Sequence, residues 1–467
     1  MSSVTGQPSL GEATTRELRE ALRGELVLPG DAGYDEARSV WNGMIDRRPA
    51  LIARCAGTSD VIAAIGFARS EGLDVAVRGG SHNVAGNATC DGGLVIDLSP
   101  MKGVRVDSEA RTVRAQGGLT WGELDAETQA FGLATTGGLV TTTGVAGFTL
   151  GGGVGWMMRK CGLACDNLIS ADLVTADGQI VHASESENPE LLWGLRGGGG
   201  NFGVVTEFEF RLYPISQVYG GLVAWPADRG PEILKFWREW SLTAPDEVCT
   251  MAAFLYAPPE PFVPPEVVGQ PIFAIACCHL DPEGSAEDDL RPLRDLQPAV
   301  DVLGPMPYAA IQGMFDAGTP RGSRNYWRSG YVQELTDEAI DTIYAAVPGI
   351  PHPMGQLHIH QMGGALGRVP QGATAFGSRD VPFLMNYIAL WLDEGEDEQN
   401  IAWCKAASDA MASFGTGHRY VNFLADEGEA GVESAYEAET LTRLQGLKAK
   451  YDPTNFFHLN QNIKPAA

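Results

Sequence analysis

The order of patterns along the sequence predicts an α+β protein of two domains, and three observations carry that expectation. A chain of 467 residues is too long for one core, because single hydrophobic cores stop growing near roughly 250–300 residues. Between about residues 47 and 215, short apolar runs alternate with helical segments and glycine-rich loops. From 216 to 424 the strand-like runs lengthen and mix with amphipathic helices, which suits a large antiparallel sheet covered by helices on one face. The expected division is therefore an N-terminal segment, 1–46, packing on the first domain, 47–215, then a second domain, 216–424. A C-terminal segment, 425–467, returns to the first domain.

The elements follow in chain order. Residues 14–24 read as a polar, peripheral helix. The run 51–55 is strand-like, and Ser59 or Asp60 is the expected cap of a helix that carries Val61, Ile62, Ile65 and Phe67 and stops near Gly72. Short apolar strands are expected at 75–77 and 94–98, and a hairpin joins 104–106 to 112–115 across Ser108-Glu109. Thr120-Trp121-Gly122-Glu123 has the spacing of a capping box, with Gly132 as the stop. Asp177-Gly178 turns a hairpin between 168–174 and 179–183. Asn188-Pro189-Glu190 starts a short helix with proline at its tolerated first position. The run 204–212 alternates and ends the first domain before Pro214. In the second domain the alternating strands are 250–256, 356–362 and 383–392, and the helices are 232–240, 337–346 and 398–414. Tyr326-Trp327-Arg328 falls in a loop, and one last helix spans 432–450.

Composition excludes several function classes. A formal net charge of −26 repels nucleic acid and anionic membranes alike. No apolar run approaches a membrane span, and residues 1–10 lack the charged-then-apolar pattern of a secretion signal. The eight cysteines show no disulfide-framework spacing, so reduced thiols and a cytoplasmic location are expected. Cys161 and Cys165 have no second pair to complete a zinc site, and no metal is expected.

The chemistry concentrates in glycine loops. Arg78-Gly79-Gly80-Ser81-His82-Asn83-Val84-Ala85-Gly86 follows the apolar strand 75–77. A strand that ends in a glycine pair exposes backbone N–H groups able to hold a phosphate without charged side chains. His82, at the tip, is either a hydrogen-bonding loop residue or a nucleophile aimed at the ligand. A second cluster runs from Gly144 through Gly147, Gly151, Gly152 and Gly155. A third runs from Gly197 to Gly203 and continues into Val205. Asn460-Gln461-Asn462 closes the chain.

These motifs, in this order, resemble the FAD-linked oxidases of the vanillyl-alcohol-oxidase / p-cresol-methylhydroxylase (PCMH) fold, in the berberine-bridge-enzyme-like branch that includes 6-hydroxy-D-nicotine oxidase. The resemblance covers nearly the whole chain, and Ser81 just before the histidine is its one departure in the first loop. It implies FAD bound by Arg78, Gly79, Gly80, Ser81, His82, Asn83, Gly86, Thr143, Gly144, Gly147, Gly151, Gly152, Gly155, Val205, Asn460 and Asn462. It also implies a covalent bond from His82 to the flavin 8-methyl carbon. Many relatives add a second bond through a cysteine, but Val140 stands at that position, so attachment through His82 only is expected. Thr143 falls where a small or branched residue admits dioxygen to the flavin. In the plant and oligosaccharide-oxidising relatives a tyrosine is the general base; here Phe423, which accepts no proton, stands at its position.

Two ways around that loss remain open. Another residue takes the proton, Tyr420 being the nearest candidate by sequence, or a neutral amine substrate needs no base; Tyr420 and Asn422 are either pocket residues or structural ones. His358 and His360 share one face of a strand and are read as a polar pocket wall rather than a metal site. The implied activity is oxidation of a small organic amine, alcohol or phenol, with hydride passing to flavin N5 and O2 reduced to H2O2. An oxygenating or cyclising enzyme of secondary metabolism on the same scaffold, and a non-catalytic flavin-binding module, are the alternatives.

Overall fold

The computed structural model describes residues 11–259 and 263–466. The expectation drawn from residues 1–10 lies outside them. Three sheets organise the chain.

The first contains β1 (Glu25–Val27), β2 (Leu51–Arg54), β3 (Val75–Arg78) and β4 (Leu94–Asp97), in the order β1-β2-β4-β3. β2 and β3 both lie parallel to β4, which a crossover helix, Thr58–Glu71, makes possible. A parallel sheet is covered on both faces, so its strands read as plain apolar runs: Leu51, Ile52, Leu94, Val95 and Ile96 have no exposed surface. The expected cap of the crossover helix is a correction. The helix begins at Thr58 after Gly57, so neither Ser59 nor Asp60 caps it. Asp60 instead turns its buried carboxylate outward from the helix and accepts N–H bonds from Arg23 (3.0 Å), Gly24 (2.9 Å) and Ala56 (2.8 Å).

The second sheet, β5 (Val104–Asp107), β6 (Thr112–Gln116), β7 (Leu168–Val174), β8 (Ile180–Ser184) and β9 (Val204–Arg211), is antiparallel in the order β5-β6-β9-β7-β8. The local signals act as expected here. Glu123 accepts the Thr120 backbone N–H at 2.8 Å in a capping box, and Gly178 turns the β7–β8 hairpin with φ 83°.

The third sheet holds β10 (Gln217–Pro226), β11 (Val248–Tyr256), β12 (Pro271–His279), β13 (Val300–Asp301), β14 (Gly304–Pro307), β15 (Arg324–Val332), β16 (Gln356–Gln361) and β17 (Phe383–Trp391). Its order is β13-β10-β12-β11-β16-β17-β15, with β14 also on β10, and every pairing is antiparallel. On one face Trp225, Phe254, Phe273, Ile359 and Trp391 pack against helices Gly230–Thr243, Ala286–Arg294, Asp337–Ala346 and Asp397–Ala410. The opposite face looks onto the site described below. β12 escapes an alternation rule because it is buried on both faces and reads as an unbroken apolar run. Tyr326, Trp327 and Arg328 lie in β15, not in a loop. This charged edge strand lacks a clean apolar face, but its register with β17 is continuous over nine residues.

The expected last helix is two. Gly428–Glu433 and Ala438–Tyr451 are separated by a turn that directs the Tyr436 hydroxyl onto the Gly197 carbonyl at 3.2 Å. Lys448, fully buried, donates to Asp452, Asn201 O and Phe457 O, each at 2.8 Å, and so ties the tail to the third glycine cluster. Among the described residues all eight cysteines are free and buried, and no helix is long and apolar enough to cross a membrane.

Candidate active site

A single cavity of about 1170 Å³ runs between the glycine loops and the bare face of the third sheet. Small-molecule pockets occupy roughly 300–1,000 Å³, so there is room for a dinucleotide and a second molecule. Of the residues singled out from the sequence, Gly79, Gly80, Ser81, His82, Asn83, Thr143, Gly144, Gly147, Gly151, Val205, Asn460, His358, His360, Tyr420 and Asn422 all line it.

The first glycine loop leaves β3 at Arg78. Its Gly80 abuts the second cluster: a Cβ there would sit 2.3 Å from Gly144 N, and one on Gly144 would sit 2.3 Å from Gly80 N. Only a glycine pair permits that contact. Ser81 takes φ 57° at the turn and lifts His82 toward the cavity. The backbone N–H groups of Gly80, Ser81, His82 and Asn83 donate to no protein acceptor among the described residues, which leaves them free for an anion. Gly147 and Gly200 face open space, where a Cβ would meet nothing within 4 Å among the described residues. The Asn460 Oδ1 atom is buried without a partner among the described residues. Free N–H groups, open glycines and an orphaned amide oxygen fit the cofactor that these loops imply, FAD.

His82 is held from two sides. Its Nε2 lies 2.9 Å from Thr142 Oγ1, and its ring stacks on Trp41 at 4.4 Å and 20°. Burial first, and Arg321 second, push its pKa down to about 3, so the imidazole is neutral at ordinary pH. No hydrogen bond ties the Thr143 hydroxyl to the protein among the described residues, and the side chain lines the cavity.

On the facing sheet His358 and His360 do share a face, with ring centroids 6.0 Å apart. Gln356 Oε1 lies 2.7 Å from His358 Nε2; an amide oxygen only accepts, so Nε2 carries the proton and Nδ1 is bare. Burial lowers His358 to about 4. Burial, with His358 beside it, lowers His360 to about 3. His360 Nε2 and Asn386 Oδ1 are both buried without a partner among the described residues. Phe423 lies 5.8 Å from the His360 ring and 5.7 Å from Trp327.

Other residues make structural contacts. The Tyr420 hydroxyl accepts from Gly153 N (2.8 Å), Val154 N (3.3 Å) and Asn422 Nδ2 (2.9 Å), and burial holds its pKa well above the ordinary value. Such a phenol is a poor proton acceptor and a good clamp on the glycine turn. Asn422 also donates to Phe148 O at 3.0 Å, and its Oδ1 fills the space a Gly151 Cβ would need. Arg78, Gly86, Gly152, Gly155 and Asn462 lie outside the cavity lining. Arg78 donates to Ala37 O, Arg38 O and Ala88 O. Cβ atoms on Gly86, Gly152 and Gly155 would strike Ile45, Phe376 and Gly137 O respectively, so these glycines permit close packing. Arg328, paired with Glu427 at 2.6 Å, packs the C-terminal segment.

Trp41, Gln356 and Asn386 line or support the site without having been singled out. Trp41 precedes His82 by 41 positions in a segment without period, so nothing local marks it. Asn386 sits inside the strand pattern, and its row alongside His358 follows only from register.

Comparison with known proteins agrees with this geometry. Residues 49–184 match the FAD binding domain family, and 419–464 match the family described as berberine and berberine like. The (R)-6-hydroxynicotine oxidase of Paenarthrobacter nicotinovorans is 31% identical, covering 95% of this chain and 97% of that protein. FAD-linked oxidoreductase pgmH of Aspergillus terreus is 31% identical over 98% of this chain and 97% of its own. The crystal structure of 6-hydroxy-D-nicotine oxidase from Arthrobacter nicotinovorans superposes with a TM-score of 0.84 at 29% identity, covering 95% of this chain and 98% of that one. BBE-like 1 of Physcomitrella patens shares the fold, with a TM-score of 0.86 at 23% identity over 97% of this chain and 99% of that one.

Proposed function

Because this chain belongs to the berberine-bridge-enzyme-like family of FAD-linked oxidoreductases, we propose that it is an oxidase of a small organic molecule, with FAD attached covalently through His82 alone. The observation that carries this reading is the position of His82: a neutral imidazole stacked on Trp41, bonded to Thr142, at the mouth of a loop of free N–H groups. The FAD would be held by the backbone of residues 80–83, by the second and third glycine clusters and by Asn460. No Asp, Glu, Lys or Arg among the described residues lines the cavity, so the pyrophosphate relies on backbone donors. Val140 lies in the lining where a second attachment would need a cysteine.

The chemistry that bound FAD supplies is acceptance of a hydride from a substrate carbon at N5, followed by return of the electrons to O2 as H2O2. The chain's own part is to position the substrate against the sheet face and to take its proton. His358 has the geometry for the second task, since Gln356 fixes the proton on Nε2 and leaves Nδ1 bare. Tyr420 is disfavoured because its oxygen already accepts three N–H groups. Thr143 leaves the cavity wall small enough for dioxygen.

Acid precipitation of the purified protein tests the attachment. The pellet is expected to stay yellow, and His82→Ala to release its flavin into the supernatant. A flavin-shifted mass that survives unfolding of His82→Ala would refute it.

A further inference from the structure

The sheet face turned to the cavity is laid out in rows. Ala224 of β10, Ala274 of β12, Ala253 of β11, His358 of β16 and Asn386 of β17 are successive register partners across five strands, and all five line the cavity. Strands favour branched and aromatic side chains because these fill the pleated surface. Three methyl groups side by side leave that surface unfilled and cut a trough. Two interstrand spacings make it roughly 10 Å across. Its far side is closed by Val263, Val267 and Val268, from the loop between β11 and β12, and by Val300.

Two features show that the trough is built for a ligand. Across His358 from the alanines, His360 Nε2 and Asn386 Oδ1 are buried and without a partner among the described residues, their residues only 3% and 1% exposed. A buried polar atom left unpaired is costly, and a bound hydroxyl, which can donate to the Asn386 oxygen, relieves that cost. The second feature is charge. The chain carries 33 Lys and Arg and 59 Asp and Glu, yet none among the described residues lines the cavity. An ionised ligand would shed its water there and meet no counter-charge among the described lining residues.

We propose that the substrate is an electrically neutral molecule with a flat, apolar body about the width of two fused rings, seated on Ala224, Ala274 and Ala253. A hydroxyl on that body reaches His360 Nε2 and donates to Asn386 Oδ1. The inference rests on the reading that this chamber holds the oxidised substrate. It excludes permanently charged amines, carboxylates and sugars.

Calorimetric titration of the flavin-loaded protein tests it with four probes of known charge and size: 2-naphthalenemethanol, 2-naphthoate, 2-naphthylmethylammonium and cellobiose. The neutral naphthyl alcohol is expected to bind about tenfold or more tightly than either ion and than the sugar. Ala274→Leu fills the trough, and is expected to weaken the naphthyl alcohol by about tenfold while changing benzyl alcohol by less than about threefold. Equal or tighter binding of an ion or of cellobiose overturns the proposal, and so does undetectable binding of 2-naphthalenemethanol. Those comparisons use the unaltered protein and stand even if Ala274→Leu fails to fold. The expected binding pattern without bleaching of the flavin by any neutral alcohol would sink the oxidase reading and leave this one intact. Bleaching by a charged probe with no naphthyl preference would do the reverse.

Discussion

Replacing either of two cavity glycines by alanine separates a residue that closes the fold from one that receives the cofactor. At Gly80 a Cβ would stand 2.3 Å from Gly144 N and 2.5 Å from Gly144 Cα, where ordinary contact is 3.4–4 Å. Both partners are backbone, so the loops must part by about 1 Å. Overpacking of that kind costs about 1–3 kcal/mol, or several degrees of melting temperature for a domain of this size. At Gly147 the new methyl meets nothing within 4 Å and sits within helix Val145–Leu150, where alanine gains about 0.5–1 kcal/mol over glycine. The same methyl projects into the flavin cavity. Gly80→Ala should therefore lower the melting temperature of the flavin-free protein. Gly147→Ala should leave it equal or higher, and fail to fill with flavin. Since bound FAD itself stabilises the fold by mass action, scanning calorimetry is run in a His82→Ala background stripped of cofactor. Flavin content is read by absorbance in the His82 protein. A flavin-free Gly147→Ala that melts lower than the parent, or a neutral Gly80→Ala, would refute the reasoning.

Thr143→Leu fills the cavity wall and should slow reoxidation of the reduced protein by O2, with anaerobic reduction by substrate nearly unchanged; stopped-flow absorbance reads both, and equal reoxidation rates remove Thr143 from that role. His358→Gln should cut the rate of flavin reduction by about 10²–10⁴, the usual loss on removing a general base, and should erase the acidic limb of its pH profile, which a merely structural substitution would leave in place. His360 is held neutral, with its pKa lowered from 6.5 to about 3. The unfolded chain therefore binds the extra proton first, and stability that is complete above pH 6.5 is lost as pH falls toward 3, by up to about 1.4 kcal/mol per pH unit. His360→Gln should flatten that part of the stability curve in urea titrations between pH 4 and 6.5, and an unchanged slope would show that His360 is not buried neutral.

How much was legible in the sequence follows from the range of each interaction. The capping box at Thr120, the turn at Gly178 and the proline start at Pro189 depend on neighbours within a few positions, and sequence alone determines them. That the glycine clusters meet at one cavity, with His82 and Thr143 in its lining, was legible for a related reason: a loop that must expose N–H groups or touch another backbone admits few residue types. Tertiary contact decided the rest. Asp60 has the spacing of a cap, but three N–H groups from residues 23, 24 and 56 outbid its own helix. Tyr420 has the chemistry of a base, until the glycine turn fills its oxygen's lone pairs. Arg78 belongs to the glycine motif yet serves carbonyls of residues 37, 38 and 88. The alanine trough is invisible along the chain, since Ala224, Ala253 and Ala274 are each unremarkable within their own strands. They become a surface only when the register of three antiparallel strands sets them side by side.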